Sequence, residues 1–595
     1  MPATGLPQGR YLSCAFRVAP DAGGQTRALL MRNRILAREG VRPDVLVLGA
    51  ASDYEVRREI LLERGLLSDG VGLLNIYEHF RDRGWGDRPP TGETLDDLSA
   101  HRIGEEDGPG GEPWRITYRV PDQRYATYDY LRPDGSPYLR IPAFGLASDS
   151  RGRGRIQQVG EHGEVVGEFK TVGQWFRAWI HELAEGHDRT FVFVDSRYVV
   201  PHVIPIRRRR VHMIYVMHNL HVGRPYRWDS GVNTAYKRVL DRIDGMDALV
   251  TLTRRQGDDI AKRRGRTNNM FVVPNPVDVP DPPAQEAARD PHRVTTVARL
   301  ELQKRLSDAI AAFERVVKAV PTARLEIYGD GSRREHLQRE IDRRQLADHV
   351  TLRGFDPEAR EALWTSSAFL MTSAFEGYPL STLESMSRGC PVVSYDIKYG
   401  PREQITDGVD GFLVPQGDVA QLAERVIELL RSPELLARMS TAARETAKRH
   451  GPADFVASWT RVLGEVVEQR VDRTRIEEIG LETTRLRRVR GNRLQFAGVL
   501  RVQGYSRRAR LGSAQVQLAA VDEASGEVTE LPLKVKHAGE ELRVHTPSGL
   551  RGGPVAPADA RLRLRFIWQN CAWETELSLA DGNPTTSAEP VKAHA

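Results

Sequence analysis

The stretch Phe375–Pro415, FEGYPLSTLESMSRGCPVVSYDIKYGPREQITDGVDGFLVP, decides the fold of this chain. Glu376 and Glu384 stand on either side of a Gly-Tyr-Pro turn. An apolar run, Ala368 to Thr372, precedes the turn and reads as a buried strand. A helical pattern starts near Ser381, with Leu383 and Met386 three apart, and stops at Gly389. Pro391 to Tyr395 supplies a second apolar strand. The order strand, glycine turn, helix, strand aims free backbone N–H groups and a positive helix end at the carboxyl edge of a sheet, where an anion can sit. Glu384, inside the first helical turn, can accept two hydrogen bonds from a diol such as a ribose, and Glu376 can reach a second hydroxylated group. The bland alternative is two surface glutamates on a loop and a helix start.

Glu-x7-Glu followed by Gly389-Cys-Pro-Val-Val393 resembles the donor site of family-4 retaining glycosyltransferases of the GT-B fold. The continuation SYDIKYGPREQITDGVDGFLVP is closer still to the branch that glycosylates poly(glycerol-phosphate) or poly(ribitol-phosphate) teichoic acids. The resemblance implies an α/β chain of two Rossmann-like domains facing a cleft. It also implies a nucleotide-sugar donor, here a UDP-sugar, with no permanently bound cofactor. Gly377, Tyr378, Pro379, Leu380, Ser381 and Glu384 become donor-binding candidates, and Glu376 a catalytic one. No Asp-x-Asp occurs in the chain, so no metal is expected.

The chain has 595 residues, which suggests three or four domains. Its 40% hydrophobic and 28% charged residues are those of an ordinary soluble globular protein, and a net charge of +6 excludes a global polycation. No nucleic-acid partner is expected. Cys14, Cys390 and Cys571 lie far apart without a CxxC pair, which fits a reducing cytoplasm. The start, MPATGLPQGR, lacks a signal-like apolar run, and no segment holds about 18 uncharged apolar residues. The expectation is a cytoplasmic protein, with peripheral contact at the inner face of the membrane and homo-oligomerisation left open.

The first apolar run, Tyr11 to Val18, leads through Gly23-Gly24 into a helical pattern and then the strand Asp44–Gly49, the opening of a Rossmann-like unit. Gly23 and Gly24 would let the backbone approach a phosphate or sugar; taken alone a glycine pair reads as a plain tight turn, but the resemblance, which includes a glycine pair in this loop, implies donor binding. From about residue 70 to 175, glycine, proline and alternating tyrosines mark a β-rich insertion with a hairpin turn at Arg132-Pro-Asp-Gly135. Parallel-sheet signals return at Thr190–Asp195, Val211–His218 and Ala248–Leu252. His218 falls just past a strand end, at the cleft mouth of an open α/β sheet, and the resemblance puts a histidine beside the transferred sugar. His221 competes for that role. The cations Arg207 to Arg210, with Arg151, Arg153 and Arg155, read either as a solvated face or as a patch for a polyanionic acceptor.

Arg299 and Lys304 flank the first strand-to-helix turn of the second half. Cations at a helix start are locally unfavourable, so their presence asks for an anion. The resemblance assigns them to the donor pyrophosphate, where they would stabilise the departing charge. It also makes Phe355 a candidate base contact. The expected domains are 1–282 (acceptor side), 283–452 (nucleotide-sugar side), 453–490 (crossover helix and linker), 491–582 (β-sandwich-like) and 583–595 (disordered tail).

Three functions stay in play. The leading one is a retaining hexosyltransferase acting on a teichoic acid, an anionic cell-wall polymer, or on another capsular glycan. A phosphorylase or epimerase could use the same fold, since fold does not fix reaction. A non-catalytic polysaccharide-binding assembly protein would carry a decayed site, against which the set Arg299, Lys304, Glu376 and Glu384 argues.

Overall fold

The computed structural model describes residues 5–577 apart from 22, 87–89, 122–124, 144–154, 205–209, 265–266, 268, 284–287, 469–477, 490–492, 504–513, 523–527, 539–540, 548–553, 557–559 and 569–570. The tail expected at 583–595, Arg151, Arg153 and Arg207 to Arg209 therefore lie outside the described residues. Two compact units divide the chain. The first comprises 1–220, 250–256 and 271–468, and the second 221–249, 257–270 and 469–595.

Most of the first unit is two parallel sheets. One has the strand order Met270–Val272, Ala248–Thr251, Val211–Met217, Thr190–Val194, Arg10–Ala15, Pro43–Val47, Gly72–Asn75. Its central strands Thr190–Val194 and Val211–Met217 are mostly apolar and, apart from half-buried His212, buried on both faces, as helix-covered parallel strands must be. The other runs Val350–Gly354, Arg324–Tyr328, Asp290–Val297, Ser366–Met371, Val392–Asp396, Gly411–Pro415 and is parallel throughout. In each sheet the winding reverses once. In the first it reverses between Arg10–Ala15 and Thr190–Val194, and in the second between Asp290–Val297 and Ser366–Met371. Loops leaving the carboxyl ends of such a strand pair diverge to opposite faces and leave a crevice.

The insertion is a six-stranded antiparallel meander from Arg102–Asp107 to Val165–Phe169. Its tyrosines alternate because one face is covered: Tyr130 and Tyr138 are buried with Tyr77, Trp85 and Trp175. Their polar ends are satisfied, Tyr138 Oη donating to Tyr77 O at 3.0 Å and Trp85 Nε1 to Tyr138 O at 2.8 Å. Gly135 closes the expected hairpin at φ 84°, its N–H donating to Arg132 O at 2.9 Å.

In the second unit the alternating C-terminal strands form two four-stranded antiparallel sheets. Leu494, Phe496 and Leu500 of one sheet and Leu518, Leu564 and Phe566 of the other share a single apolar core, so the arrangement is a sandwich. Segments 221–249 and 257–270 join this unit through Arg565. Its guanidinium lies 4.3 Å from the Trp228 ring centre and donates to Lys262 O at 3.2 Å. Among the described residues no helix is long and apolar enough to cross a membrane.

Candidate active site

The candidate site lies in the first unit, around the reversal points of its two sheets. Residues 372–379 leave the strand Ser366–Met371 and lead into the helix Leu380–Ser387. That helix begins one residue before the expected Ser381, so Glu384 stands just beyond its first turn. Backbone hydrogen bonds hold the loop. Ala374 N donates to Gln303 O at 2.7 Å, Glu376 N to Lys398 O at 3.1 Å, and Tyr399 N to Glu376 O at 2.9 Å. Side chains reinforce them, Gln303 Nε2 donating to Phe375 O and Thr372 Oγ1 to Lys304 O, both at 2.8 Å.

This docking brings Lys304 and Glu376 together. Lys304 Nζ donates to Glu376 Oε1 at 2.6 Å, and both side chains are mostly covered. Arg299, past the end of the strand Asp290–Val297, is exposed, and its guanidinium has no hydrogen bond or ion pair among the described residues. The turn thus presents one committed cation and one uncommitted cation. An exposed, unmatched guanidinium can offer five N–H donors to an anion in a fixed fork.

Glu384 is buried and faces two guanidinium groups that sequence reasoning missed. Arg27 donates to its Oε1, and Arg360 Nε lies 2.9 Å from its Oε2. Burial alone would raise this carboxyl, yet Arg27 and Arg360 hold it below the usual carboxylate range. The two cations engage one side of each oxygen. A carboxylate has about four acceptor positions, so the two-bond diol role remains chemically open.

His218 is almost fully covered, and its Nε2 lies 2.6 Å from Asp195 Oδ1. Asp195 directly follows the strand Thr190–Val194, at a reversal point. Arg32 grips it with two hydrogen bonds of 2.9 and 2.7 Å, stacks over the Phe193 ring at 4.7 Å and also donates to Ser13 Oγ. Burial opposes the Asp195 charge, but Arg32 and His218 hold its carboxyl well below the usual range. An ionised carboxylate only accepts, so Nε2 carries the proton and, in the neutral ring, Nδ1 is the acceptor. His221 is fully buried and falls in the second unit.

Gly377 sits against the His218 backbone, where an added Cβ would lie 2.0 Å from His218 O. Only glycine fits there. Gly23 caps the helix Gly24–Arg38 at φ −71°, and a Cβ on Gly23 or Gly24 would meet no protein atom. Tyr378 is buried, with its hydroxyl 3.0 Å from His450 Nδ1, and Pro379 O accepts from Gln404 Nε2 at 3.1 Å. The side chain of Tyr378 therefore anchors the loop from behind. Pro379 and Leu380 are also buried, and Ser381 is half-buried. Phe355 is 61% exposed, and Arg155 is engaged by Glu93 and Glu168, each at 3.2 Å.

Signals for the missed residues differ. Asp195 ends a strand already read as parallel, so the strand-end argument used for His218 applied equally to it. Arg27 follows the glycine pair by one helical turn. Arg360, in a charged loop, carries no local signal.

Residues 280–446 match the family model of glycosyl transferases group 1, so the chain carries a domain of that group. The chain is 31% identical over 307 residues to poly(glycerol-phosphate) alpha-glucosyltransferase of Bacillus subtilis, covering 50% of this chain and 45% of that one. It is 26% identical over 228 residues to poly(ribitol-phosphate) alpha-N-acetylglucosaminyltransferase of Staphylococcus aureus, covering 38% and 46%. The matches thus span less than half the length of these curated relatives. Among solved structures, S. aureus TarM, in a complex with fondaparinux, alpha-GlcNAc-glycerol and UDP, superposes with a TM-score of 0.60 at 18% identity, covering 77% of this chain and all of that one. The fold is GT-B, carrying extra β-sheets at its C-terminal end.

Proposed function

We propose that this chain is a retaining hexosyltransferase that moves a hexose or N-acetylhexosamine from a UDP-sugar to a polyol-phosphate polymer of the cell wall. The observation that carries this reading is the Lys304–Glu376 pair at a sheet-reversal crevice, with Arg299 uncommitted on the same turn. Arg299 and Lys304 receive the diphosphate and stabilise its charge as the glycosidic bond breaks. Glu384, steadied by Arg27 and Arg360, accepts the ribose hydroxyls. His218, aligned by Asp195, stands beside the sugar. The site supplies no side-chain nucleophile in this reading. The acceptor hydroxyl attacks on the face the diphosphate leaves and gives its proton to the departing phosphate, so catalysis rests on positioning and charge.

The sequence relatives named for polyol-phosphate transfer favour that acceptor over another capsular glycan. The reading includes metal independence, action in the cytoplasm where the donor is available, and a peripheral position at the membrane. The test is nucleotide release from UDP-, GDP- and ADP-sugars in EDTA, with and without poly(glycerol-phosphate) or poly(ribitol-phosphate). Acceptor-stimulated release of UDP, abolished by Arg299→Ala, is the expected result. Release without acceptor points to a hydrolase, and conversion of the nucleotide-sugar with neither acceptor nor net nucleotide release points to an epimerase. Absence of both release and nucleotide binding returns the chain to the binding-protein reading.

A further inference from the structure

The two sheets of the C-terminal sandwich treat their outward cations differently. On the strand Arg561–Trp568 each outward arginine meets an acidic neighbour on the strand Cys571–Leu577. Arg565 bonds Glu574 at 2.8 Å, Arg563 lies 3.6 Å from Glu574, and Arg561 lies 3.9 Å from Glu576. That face is neutralised.

The opposite sheet, ordered Glu478–Val489, Arg493–Gln503, Glu541–His545, Lys534–Ala538, is neutralised only in part. Leu494, Phe496, Leu500, Leu542 and Val544 point into the core, so their sequence neighbours point outward. Register places those neighbours in rows. Arg485, Ala497, His545 and Lys534 stand opposite one another across the four strands, and Val499, Arg543 and Lys536 form the next row. Arg487 extends the patch beside Gln495, to which it donates at 2.8 Å. Arg485, Arg487, Lys534, Lys536, Arg543 and His545 are all exposed. The acidic residues here, Glu482 (opposite Val499 at the edge of the second row) and Glu541, both lie 3.1 Å from Arg501, and Glu541 also lies 3.9 Å from Arg543. Among the described residues no carboxylate pairs with Arg485, Arg487, Lys534 or Lys536.

Arg543 and Lys536 are cross-strand neighbours, about 5 Å apart, and Lys534 and Lys536 stand about 7 Å apart along one strand, as do Arg485 and Arg487. Self-repulsion on this scale costs stability unless an anion relieves it. Small or flat residues, Ala497 and Gln495, lie between the cations, leaving room for an extended chain.

We propose that this sheet face is a docking surface for a linear polyanion whose charges are phosphodiesters, namely the acceptor polymer. Naming the bound polymer as acceptor rests on the function proposed above; the charge argument for a polyanion does not. The sandwich would hold the polymer while hydroxyls along it are presented for transfer, giving the enzyme a second contact with one long substrate.

The experiment uses the full chain and fluorescently labelled poly(glycerol-phosphate), followed by anisotropy at low and high salt. The triple variant K534Q/K536Q/R543Q changes only outward positions, and matching thermal melts verify its fold. It should bind the polymer about tenfold more weakly, with a shallower salt dependence. UDP release with monomeric glycerol 3-phosphate should be unchanged, and K534R/K536R/R543K should keep wild-type affinity. Polymer affinity unchanged within about twofold in the triple variant overturns the proposal. So does a wild-type chain that binds phosphatidylglycerol vesicles but not the polymer. Loss of polymer binding in the variant, with no nucleotide release from any donor in the wild type, supports the surface and removes the transferase reading. Transfer to polymer with the same KM in variant and wild type does the reverse.

Discussion

Lys304 and Glu376 are 72 residues apart in the chain, yet their charged ends lie 2.6 Å apart because the loop after one central strand docks on the turn after its neighbour. The pair leaves one charge-matched contact and, on Arg299, one unmatched cation. Lys304→Met should lower turnover by about a hundred- to a thousandfold, the usual loss when one preorganised charge contact is removed. Combined with Glu376→Gln it should cost less than the product of the single effects, since both remove one interaction. Steady-state kinetics on the four forms test this, and strictly multiplicative effects would argue against a shared role.

Glu384 draws its low carboxyl range from Arg27 and Arg360. A depressed carboxyl contributes stability above the unfolded value of about 4.3, and that contribution disappears as pH falls through the lower folded value. Arg27→Ala should therefore destabilise the protein at pH 7, by about 1–2 kcal/mol given the partial exposure of Arg27. The deficit should shrink in acid below pH 4. Denaturant melts across that range measure it.

Asp195 is covered on every side by Arg32, His218 and the sheet, and Arg32 is itself buried. Asp195→Asn leaves the Arg32 charge buried without its counter-ion, which should cost about 3–5 kcal/mol. Because the Asp195 carboxyl is held well below the usual range, this loss should be flat from pH 8 to pH 5 and fade only in strong acid. An equal loss in His218→Ala would contradict the assignment of Arg32 as the principal partner.

Glycine substitutions separate fold from ligand. Gly377→Ala drives a methyl group into His218 O and should cost about 1–3 kcal/mol along with activity. Gly24→Ala meets no protein atom and lies in a helix, so the melting temperature should hold or rise slightly. If donor approaches this backbone, KM for the donor rises in Gly24→Ala while stability does not fall. Unchanged kinetics would leave the glycine pair as a plain helix start.

Burial pushes Glu78 up to about 7. A raised carboxyl works in the opposite sense to Glu384: its contribution is full below about pH 4.3 and is lost as pH rises through 7. Glu78→Gln should stabilise the chain at pH 8 and change little at pH 4, as paired thermal melts will show.

The features legible in the residues alone are local. Alternating tyrosines, apolar runs ending at glycine turns and the spacing of Glu376 from Glu384 follow from strand and helix periodicity, and each is read within about a dozen residues. The crossing from strand to anion-facing turn at Arg299 and Lys304 was legible for the same reason. Tertiary structure decided which charges meet. Arg27 and Arg360 reach Glu384 from segments far apart in the chain, and Arg32 meets Asp195 across 163 residues. No periodicity encodes such pairs, because a guanidinium is equally at home on a solvated face or against a buried carboxylate. The sandwich shows the same division. Its strands are visible as alternation, but only the register reveals that Glu574 and Glu576 neutralise one set of arginines while Arg485, Arg487, Lys534 and Lys536 of the opposite sheet have no carboxylate partner among the described residues.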